Sequence, residues 1–482
     1  MPDILSLDAT GQLAALESKR ISAMELLEAA AARYQALHGR LNAVVATDFE
    51  RAGARAHAID EARAKGDSPG ALAGLPITIK DTFDVDHMPA SSGMKSLLGR
   101  VVGDAAAVSC TRHAGAVIWG KTNVPVMAAD WQSYNGVYGT TNNPWDLERT
   151  PGGSSGGAAA AVATGITALE IGSDIGGSLR VPASFCGVFS HKPTWGLVPQ
   201  RGQVPPAPGA YAERDLNVAG PIARSARDLR LLLSVIATGP VAAKAPSADL
   251  RGLKVGLWVH DDDFALDAEV RGVIETFAAA LAARGADVKP AKPVQGRDLV
   301  PAYAVLLGSI VAQDMAPGVQ RSMKRLRGLA DMVAGLTGRP PAWSLPIRGY
   351  TATHGEWLEA DEVRARIAYQ MKGVFERFDV ILAPVAPVVA FAHNHKPFTG
   401  RKLVCSDSRT IPYASMLNWI ALATACGLPV TTVPAGLAVS GLPVGVQVIG
   451  PHGADARTLA VAQAVEDEIG GFVAPPPLGT AI

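Results

Sequence analysis

Residues 150–182 read TPGGSSGGAAAAVATGITALEIGSDIGGSLRVP. The stretch holds two Gly-Gly-Ser steps, Gly152-Gly153-Ser154 and Gly176-Gly177-Ser178. A flexible linker is polar throughout, whereas here a small-residue run at 158–163 and an apolar run at 166–171 fill the space between the glycines. The stretch therefore reads as a buried segment. Glycines beside a serine permit φ > 0 and let other atoms come close to the main chain, so consecutive N–H groups can point at one spot. Such a spot suits an oxyanion, and neither Gly176 nor Gly177 is expected to tolerate a side chain.

Upstream, residues 134–150 carry Gly136, Gly139, Asn142, Asn143 and Pro144 and read as irregular chain that delivers the first Gly-Gly-Ser step. A long loop of this kind goes with function. Residues 105–114 read as a helix ended by Gly115, followed by a short apolar strand at 116–119 and Gly120-Lys121-Thr122-Asn123. Helix, glycine, strand, glycine is an α/β unit. Residues 75–81, LPITIKD, alternate like a strand with Pro76 at its start and Lys80 at its end. On that segment alone, Lys80 reads as a solvated strand-end lysine. Residues 66–74 read as a turn-rich loop, and residues 8–65 as helices. There Ser22 and Glu25 form a capping box ahead of Leu26, Leu27, Ala30 and Tyr34, and an alanine-rich helix follows at about 50–65.

Downstream, residues 229–237 continue a helix and 239–246 read as a connector rich in Gly, Pro and Ala. A strand at 253–258, an amphipathic helix at 268–284 and a proline-broken strand at 287–294 follow. Residues 299–376 read as mostly helical, with Met315, Met323, Met332, Trp343 and Trp357 as core bulk or as part of a substrate lid. Buried strands are expected at 380–382, 430–433 and 444–449. The alternation implies an α/β fold.

The whole chain narrows the function. Its 482 residues carry 44 Lys+Arg against 44 Asp+Glu, so no basic face for nucleic acid is forced. Cys110, Cys186, Cys405 and Cys426 are scattered, which fits reduced thiols in a cytoplasmic protein. The start, MPDILSLDATGQ, lacks the basic-then-apolar pattern of a secretion signal, and no apolar run reaches the ~18 residues of a membrane span.

Three short motifs fail on context. Gly153-Ser154-Ser155-Gly156-Gly157 fits the G-x-S-x-G elbow, but Leu147-Glu148-Arg149-Thr150-Pro151 is not the apolar strand that elbow needs. Ser92-Gly93-Met94-Lys95 fits S-x-x-K without an accompanying S-D-N or K-T-G element. Residues 152–157 lack the G-K-[ST] ending of a phosphate loop. His191, His393 and His395 come without neighbouring acids or cysteines and read as surface side chains, so no metal is expected.

Taken together, Gly74-Leu75-Pro76 with Lys80-Asp81, Gly120-Lys121-Thr122-Asn123, Asn143-Pro144-Trp145, Pro151-Gly152-Gly153-Ser154-Ser155-Gly156-Gly157 and Ser173-Asp174-Ile175-Gly176-Gly177-Ser178-Leu179-Arg180 resemble the amidase signature family. The likeness continues through Pro182-Ala183-Ser184-Phe185-Cys186-Gly187, Lys192-Pro193-Thr194, Gly220-Pro221, Phe378-Asp379-Val380-Ile381-Leu382-Ala383-Pro384, Gly427-Leu428-Pro429 and Gly441-Leu442-Pro443-Val444-Gly445-Val446-Gln447. Within the family, the pattern is nearest to bacterial amidases, aryl acylamidases and fatty acid amide hydrolase-like enzymes. Residues 290–370 are the least alike.

The resemblance implies one large α/β domain over 1–482, with a mixed, twisted central sheet covered by helices on both sides. Its parts would be an N-terminal helical portion at 1–65, a catalytic core at 66–240 and the remainder of the domain at 253–482, within which 299–376 is a variable pocket or lid region. It implies a Ser-Ser-Lys triad: Ser178 as nucleophile, Ser154 after a cis peptide as bridging serine, and Lys80 as base. A serine hydroxyl is a weak nucleophile until a base takes its proton, and a lysine is a base only when neutral, which burial promotes. The N–H groups of Ile175, Gly176, Gly177 and Ser178 would form the oxyanion hole. Asp174 and Arg180 are expected to pair and hold the loop. Ser155 either donates within the loop or is there because it is small. Met127, Ala128 and Ala129, in the stretch 126–131, would line the acyl pocket.

The implied activity is hydrolysis of carboxamide C–N bonds through an acyl-enzyme, without cofactor, on a small apolar or aryl amide, ester or carbamate (urethane). A homodimer is the family's common habit. One alternative is the A subunit of an amidotransferase, which hydrolyses glutamine and passes ammonia to a partner, although its usual glutamine-pocket sequence is not found in 343–372. Another is an inactive binding protein, against which stand intact Lys80, Ser154 and Ser178.

Overall fold

The computed structural model describes residues 3–67, 70–239, 249–337 and 344–478. Trp343 and residues 240–246 of the expected connector lie outside them.

The described strands of the central sheet are β1 (Val44–Thr47), β2 (Pro76–Lys80), β3 (Val117–Thr122), β4 (Leu169–Asp174), β5 (Phe189–Lys192), β6 (Val218–Ala223), β7 (Lys254–Leu257), β8 (Asp287–Pro290), β9 (Val380–Pro384), β10 (Val430–Leu437) and β11 (Pro443–Ile449). They form one sheet in the order β1-β3-β2-β4-β6-β5-β10-β11-β9-β7-β8. The sheet is mixed: β2 runs parallel to β3 and β4, whereas β4 with β6 and β10 with β11 are antiparallel. Helices flank it, giving the single α/β domain expected from the sequence.

Where the pattern is one-sided, the boundaries lie close to those expected. The Ser22 capping box opens the helix Ala23–Leu41 with both reciprocal hydrogen bonds, and the next helix is Phe49–Ala64. The interval read as wholly helical also holds β1, a four-residue edge strand antiparallel to β3 and too short to show a period. Strands β4 and β6 are buried at every position, so they lack the alternation that marks a half-exposed strand.

Residues 299–376 are helical as expected, in Gly296–Gln313, Pro317–Thr337, Ser344–Tyr350 and His354–Arg377. Met332 does not pack the core there; it is 58% exposed. No helix of the described residues is long and apolar enough to cross a membrane.

Two buried segments place the chemistry. The helix Gly156–Ala163 begins directly after Ser154 and Ser155, and all its residues are buried. The helix Arg180–Cys186 begins two residues after Ser178 and is likewise buried throughout. The positive end of a helix dipole thus lies beside each serine, although the first N–H groups of the helix after Ser154 are already taken, Gly156 by Ser133 Oγ at 3.0 Å and Gly157 by the Asn123 carbonyl at 3.2 Å.

Candidate active site

Lys80 ends β2, which is buried along its whole length. Its Nζ lies 2.8 Å from Ser154 Oγ, 2.9 Å from Ser173 Oγ and 3.5 Å from the Ser173 carbonyl. No carboxylate pairs with it among the described residues. Burial pushes its pKa down to about 7, against the charges of Asp174 and Glu170, which raise it. Lys80 is fully buried, as a lysine serving as base must be and against the solvated reading of its segment alone, because β2 sits between β3 and β4 in mid-sheet. Its neighbour Asp81 points elsewhere, receiving the Ser91 hydroxyl at 2.5 Å and approaching Lys121 Nζ at 3.5 Å.

The peptide Gly153-Ser154 is cis. Ser155 donates its N–H to the Ser178 carbonyl at 3.3 Å, which joins the two Gly-Gly-Ser loops. Its hydroxyl donates to the Ser173 carbonyl at 3.4 Å, so Ser155 does more than fill a small space. The Ser178 hydroxyl has no hydrogen-bond partner among the described residues, and Ser178 is 6% exposed.

Asp174 organises the second loop. It accepts the N–H groups of Gly177 at 2.8 Å and Leu179 at 3.1 Å, and both sides of the Arg180 guanidinium at 2.9 and 3.0 Å. Burial alone would raise its pKa, but Arg180 holds it down at about 2. Asp174 and Arg180 pair as expected.

One oxyanion-hole expectation needs correcting. The Gly177 N–H is turned onto Asp174, so it is unavailable, whereas the N–H groups of Ile175, Gly176 and Ser178 have no partner among the described residues. The glycines also differ. Gly177 has φ of 91°, and an added Cβ would lie 3.1 Å from Val181 Cγ2. Gly176 lacks a positive φ, and its Cβ would meet Leu417 Cδ2 at 3.7 Å, an ordinary contact. Gly177 demands glycine; Gly176 does not.

Met127 and Ala128 sit in a short turn with φ of 54° and 55°, anchored by the Met127 N–H on the Ser92 carbonyl at 2.8 Å. Their side chains are half-buried and Ala129 is exposed. The link from this segment to the serine loop runs through Trp131, whose Nε1 donates to the Gly176 carbonyl at 2.7 Å. Sequence reasoning named Trp131 only as part of the pocket stretch and missed two further contacts. Ser173 meets Lys80, a placement that its position in the strand-end motif beside Asp174 could have signalled. Tyr303 donates to the Ile175 carbonyl at 2.7 Å from a chain separation of 128, with no local signal.

Of the histidines, His191 is buried rather than on the surface, its ring between Thr431 and Asp455 at 3.0 Å each. His393 is half-buried and His395 exposed. Among the described residues, no group of three or more His, Cys, Asp or Glu could hold a metal ion.

The family model for Amidase matches residues 25–459. Curated relatives 33 to 36% identical are glutamyl-tRNA(Gln) amidotransferase A subunits. That of Anaeromyxobacter sp. (strain K) is 36% identical over 494 aligned positions, covering 96% of each chain. A bacterial aryl acylamidase of the amidase signature family superimposes with a TM-score of 0.80 at 25% identity, covering 96% of each chain. A 6-aminohexanoate cyclic dimer hydrolase, solved with its substrate, superimposes with a TM-score of 0.77 at 29% identity, covering 96% of this chain and 97% of that one.

Proposed function

The chain belongs to the amidase signature family, and from that premise we propose that it hydrolyses carboxamide C–N bonds through an acyl-enzyme on Ser178. The observation that carries this reading is the contact of buried Lys80 Nζ with Ser154 Oγ at 2.8 Å. Neutral Lys80 takes a proton from Ser154 as Ser154 takes the proton of Ser178, whose Oγ attacks the carbonyl carbon. The tetrahedral oxyanion is received by the N–H groups of Ile175, Gly176 and Ser178. Collapse of the tetrahedral species breaks the C–N bond, and the proton returns through Ser154 to the departing amine. Water then attacks the acyl ester by the same relay and releases the carboxylate. No cofactor enters these steps.

Two substrate readings follow. Similarity to amidotransferase A subunits supports the carboxamide of glutamine, with ammonia passed to a partner chain, more strongly than it supports apolar or aryl amides. A feature of the site favours the second reading. The side chains nearest a Cβ built on Gly176 are Leu417 and Tyr303, so the surroundings of this glycine are uncharged, which fits an apolar or aryl amide better than an amino-acid head group. Esters and carbamates (urethanes) would yield to the same nucleophile. Residues 299–376 supply Tyr303, which bonds the Ile175 carbonyl, and are proposed to shape the pocket. The free thiols Cys110, Cys186, Cys405 and Cys426 go with a cytoplasmic setting.

The test is a panel of glutamine, anilides, alkyl amides, esters and carbamates with detection of released ammonia or amine, run on the wild type and Ser178→Ala. Turnover of at least one amide by the wild type and of none by the variant supports the proposal. Undiminished turnover by the variant overturns it. Ammonia from glutamine together with a co-purifying partner selects the first substrate reading; amine from anilides or alkyl amides without a partner selects the second.

A further inference from the structure

Two aromatic side chains grip consecutive carbonyls of the loop that carries Ser178. Tyr303 OH donates to the Ile175 carbonyl and Trp131 Nε1 donates to the Gly176 carbonyl, each at 2.7 Å. Tyr303 is 1% exposed and Trp131 6%, so neither donor has bulk water as a competing partner. In a trans peptide the C=O and N–H point in opposite directions. A donor on the Ile175 carbonyl therefore aims the Gly176 N–H away from Tyr303 and leaves it without an internal acceptor. The next peptide is pinned at both ends, with Trp131 on its oxygen and Asp174 on its N–H at 2.8 Å. One peptide is thus left to donate while its neighbour is locked as its support.

Trp131 also touches the other serine loop through its backbone. A Cβ built on Gly153, the residue before Ser154, would lie 2.4 Å from the Asp130 carbonyl and 2.8 Å from the Trp131 carbonyl carbon. Asp130 is itself fixed by Arg401 at 2.5 Å and the Tyr413 hydroxyl at 2.6 Å. The segment 130–132 therefore braces both catalytic loops from one side, while Tyr303 reaches the oxyanion loop from the helix Gly296–Gln313.

We infer that Trp131 and Tyr303 are positioning residues of the oxyanion hole, fixing the two peptide planes from Ile175 to Gly177 so that the Gly176 N–H meets the developing oxyanion. Each donor also polarises its peptide, which strengthens hydrogen bonding at the other end by roughly a tenth to a third. Because the oxyanion exists only after attack, these contacts act on the transition state and leave ground-state binding nearly unchanged.

The inference rests on the acyl-enzyme route proposed above. The experiment compares Trp131→Phe, Tyr303→Phe and wild type on whichever amide of the panel is turned over, and measures inhibition by phenylboronic acid, whose serine adduct places an oxygen at the oxyanion position. We expect kcat to fall about tenfold to a hundredfold, less than the loss of a direct oxyanion donor. KM should move less than about twofold, and phenylboronic acid affinity should fall in step with kcat/KM. Trp131→3-benzothienylalanine keeps the ring shape and removes only the N–H, so it separates donor loss from lost packing. Unchanged kcat in both Tyr303→Phe and the benzothienyl variant overturns the inference, as does a loss confined to KM or unchanged phenylboronic acid affinity. If the wild type turns over no amide, the route itself fails. If turnover depends on Ser178 while both donors prove dispensable, only this inference does.

Discussion

A buried amine either keeps its proton and finds acceptors or gives it up and finds donors. Lys121 finds acceptors: its Nζ meets the carbonyls of Phe83 at 2.7 Å and Pro89 at 3.1 Å, with Asp81 at 3.5 Å. Its N–H groups thus tie down the loop after β2, while burial lowers its pKa and the charge of Asp81 works against that shift. Lys80 is surrounded instead by the hydroxyls of Ser154 and Ser173, which can donate to a neutral amine. Protonated Lys80 cannot accept from Ser154, so kcat/KM should rise with pH through an apparent pKa near 7 and level off on the alkaline side. Glu170, which burial pushes up to about 8, titrates in the same window, and Glu170→Gln should leave a single inflection. Lys80→Ala and Lys80→Arg should both lack activity, the latter because guanidinium keeps its proton; wild-type activity in Lys80→Arg would move the base elsewhere. Lys121→Ala should fold less well or lose part of its activity while keeping the alkaline plateau. Stability gives a second readout. The folded pKa of Lys80, about 7, lies below its ordinary 10.5, so its burial penalty is full below pH 7 and fades as pH rises towards 10.5. The stability of Lys80→Met relative to wild type should therefore decline with pH across that interval in urea unfolding. A flat difference would mean that Lys80 is not buried as an amine.

At the scale of elements, the loop from Asp174 to Arg180 works because one carboxylate gathers its turn. Gly177→Ala must force a side chain into φ of 91° beside Val181 Cγ2, so it should cost about 1–3 kcal/mol and lower kcat at least a hundredfold. Gly176→Ala should unfold within a degree or two of wild type by calorimetry, its added methyl meeting only ordinary contacts. Equal damage from both substitutions would contradict this account of the loop. The glycine and serine pattern made the loop legible, because its residue types leave few other uses for consecutive N–H groups. Which N–H groups remain free was not legible, because that depends on where the Asp174 oxygens end up. Strand β2 was legible from Pro76 at its start and alternation to Lys80, whereas β4 and β6, buried on both faces, have no period to read. Trp131 and Tyr303 bond Gly176 and Ile175 across separations of 45 and 128 residues, and only the folded domain brings them together.

Across the whole molecule, Arg180 connects the loop that carries Ser178 to the far half of the fold. Besides Asp174, it donates to the Ile420 carbonyl at 3.1 Å, to Thr424 Oγ1 at 2.6 Å and to Gln447 Oε1 at 2.7 Å. Gln447 lies on β11 and donates in turn to the carbonyls of Pro384 and Trp419. Arg180→Met would strand the buried Asp174 charge, and we expect a loss of roughly 3–5 kcal/mol in urea unfolding together with loss of activity; an unchanged midpoint would contradict that role. The fold thus holds two serine loops and a lysine strand from three parts of the chain in one buried centre, and the account stands on which serine that centre makes reactive. The most direct measurement is mass spectrometry of the intact protein after brief reaction with a fluorophosphonate, followed by peptide mapping. A single adduct on the peptide containing Ser178, absent in Ser178→Ala and much slower to form in Lys80→Ala, is the predicted result. An adduct on Ser154 or Ser155, or one whose rate is indifferent to Lys80, would contradict it.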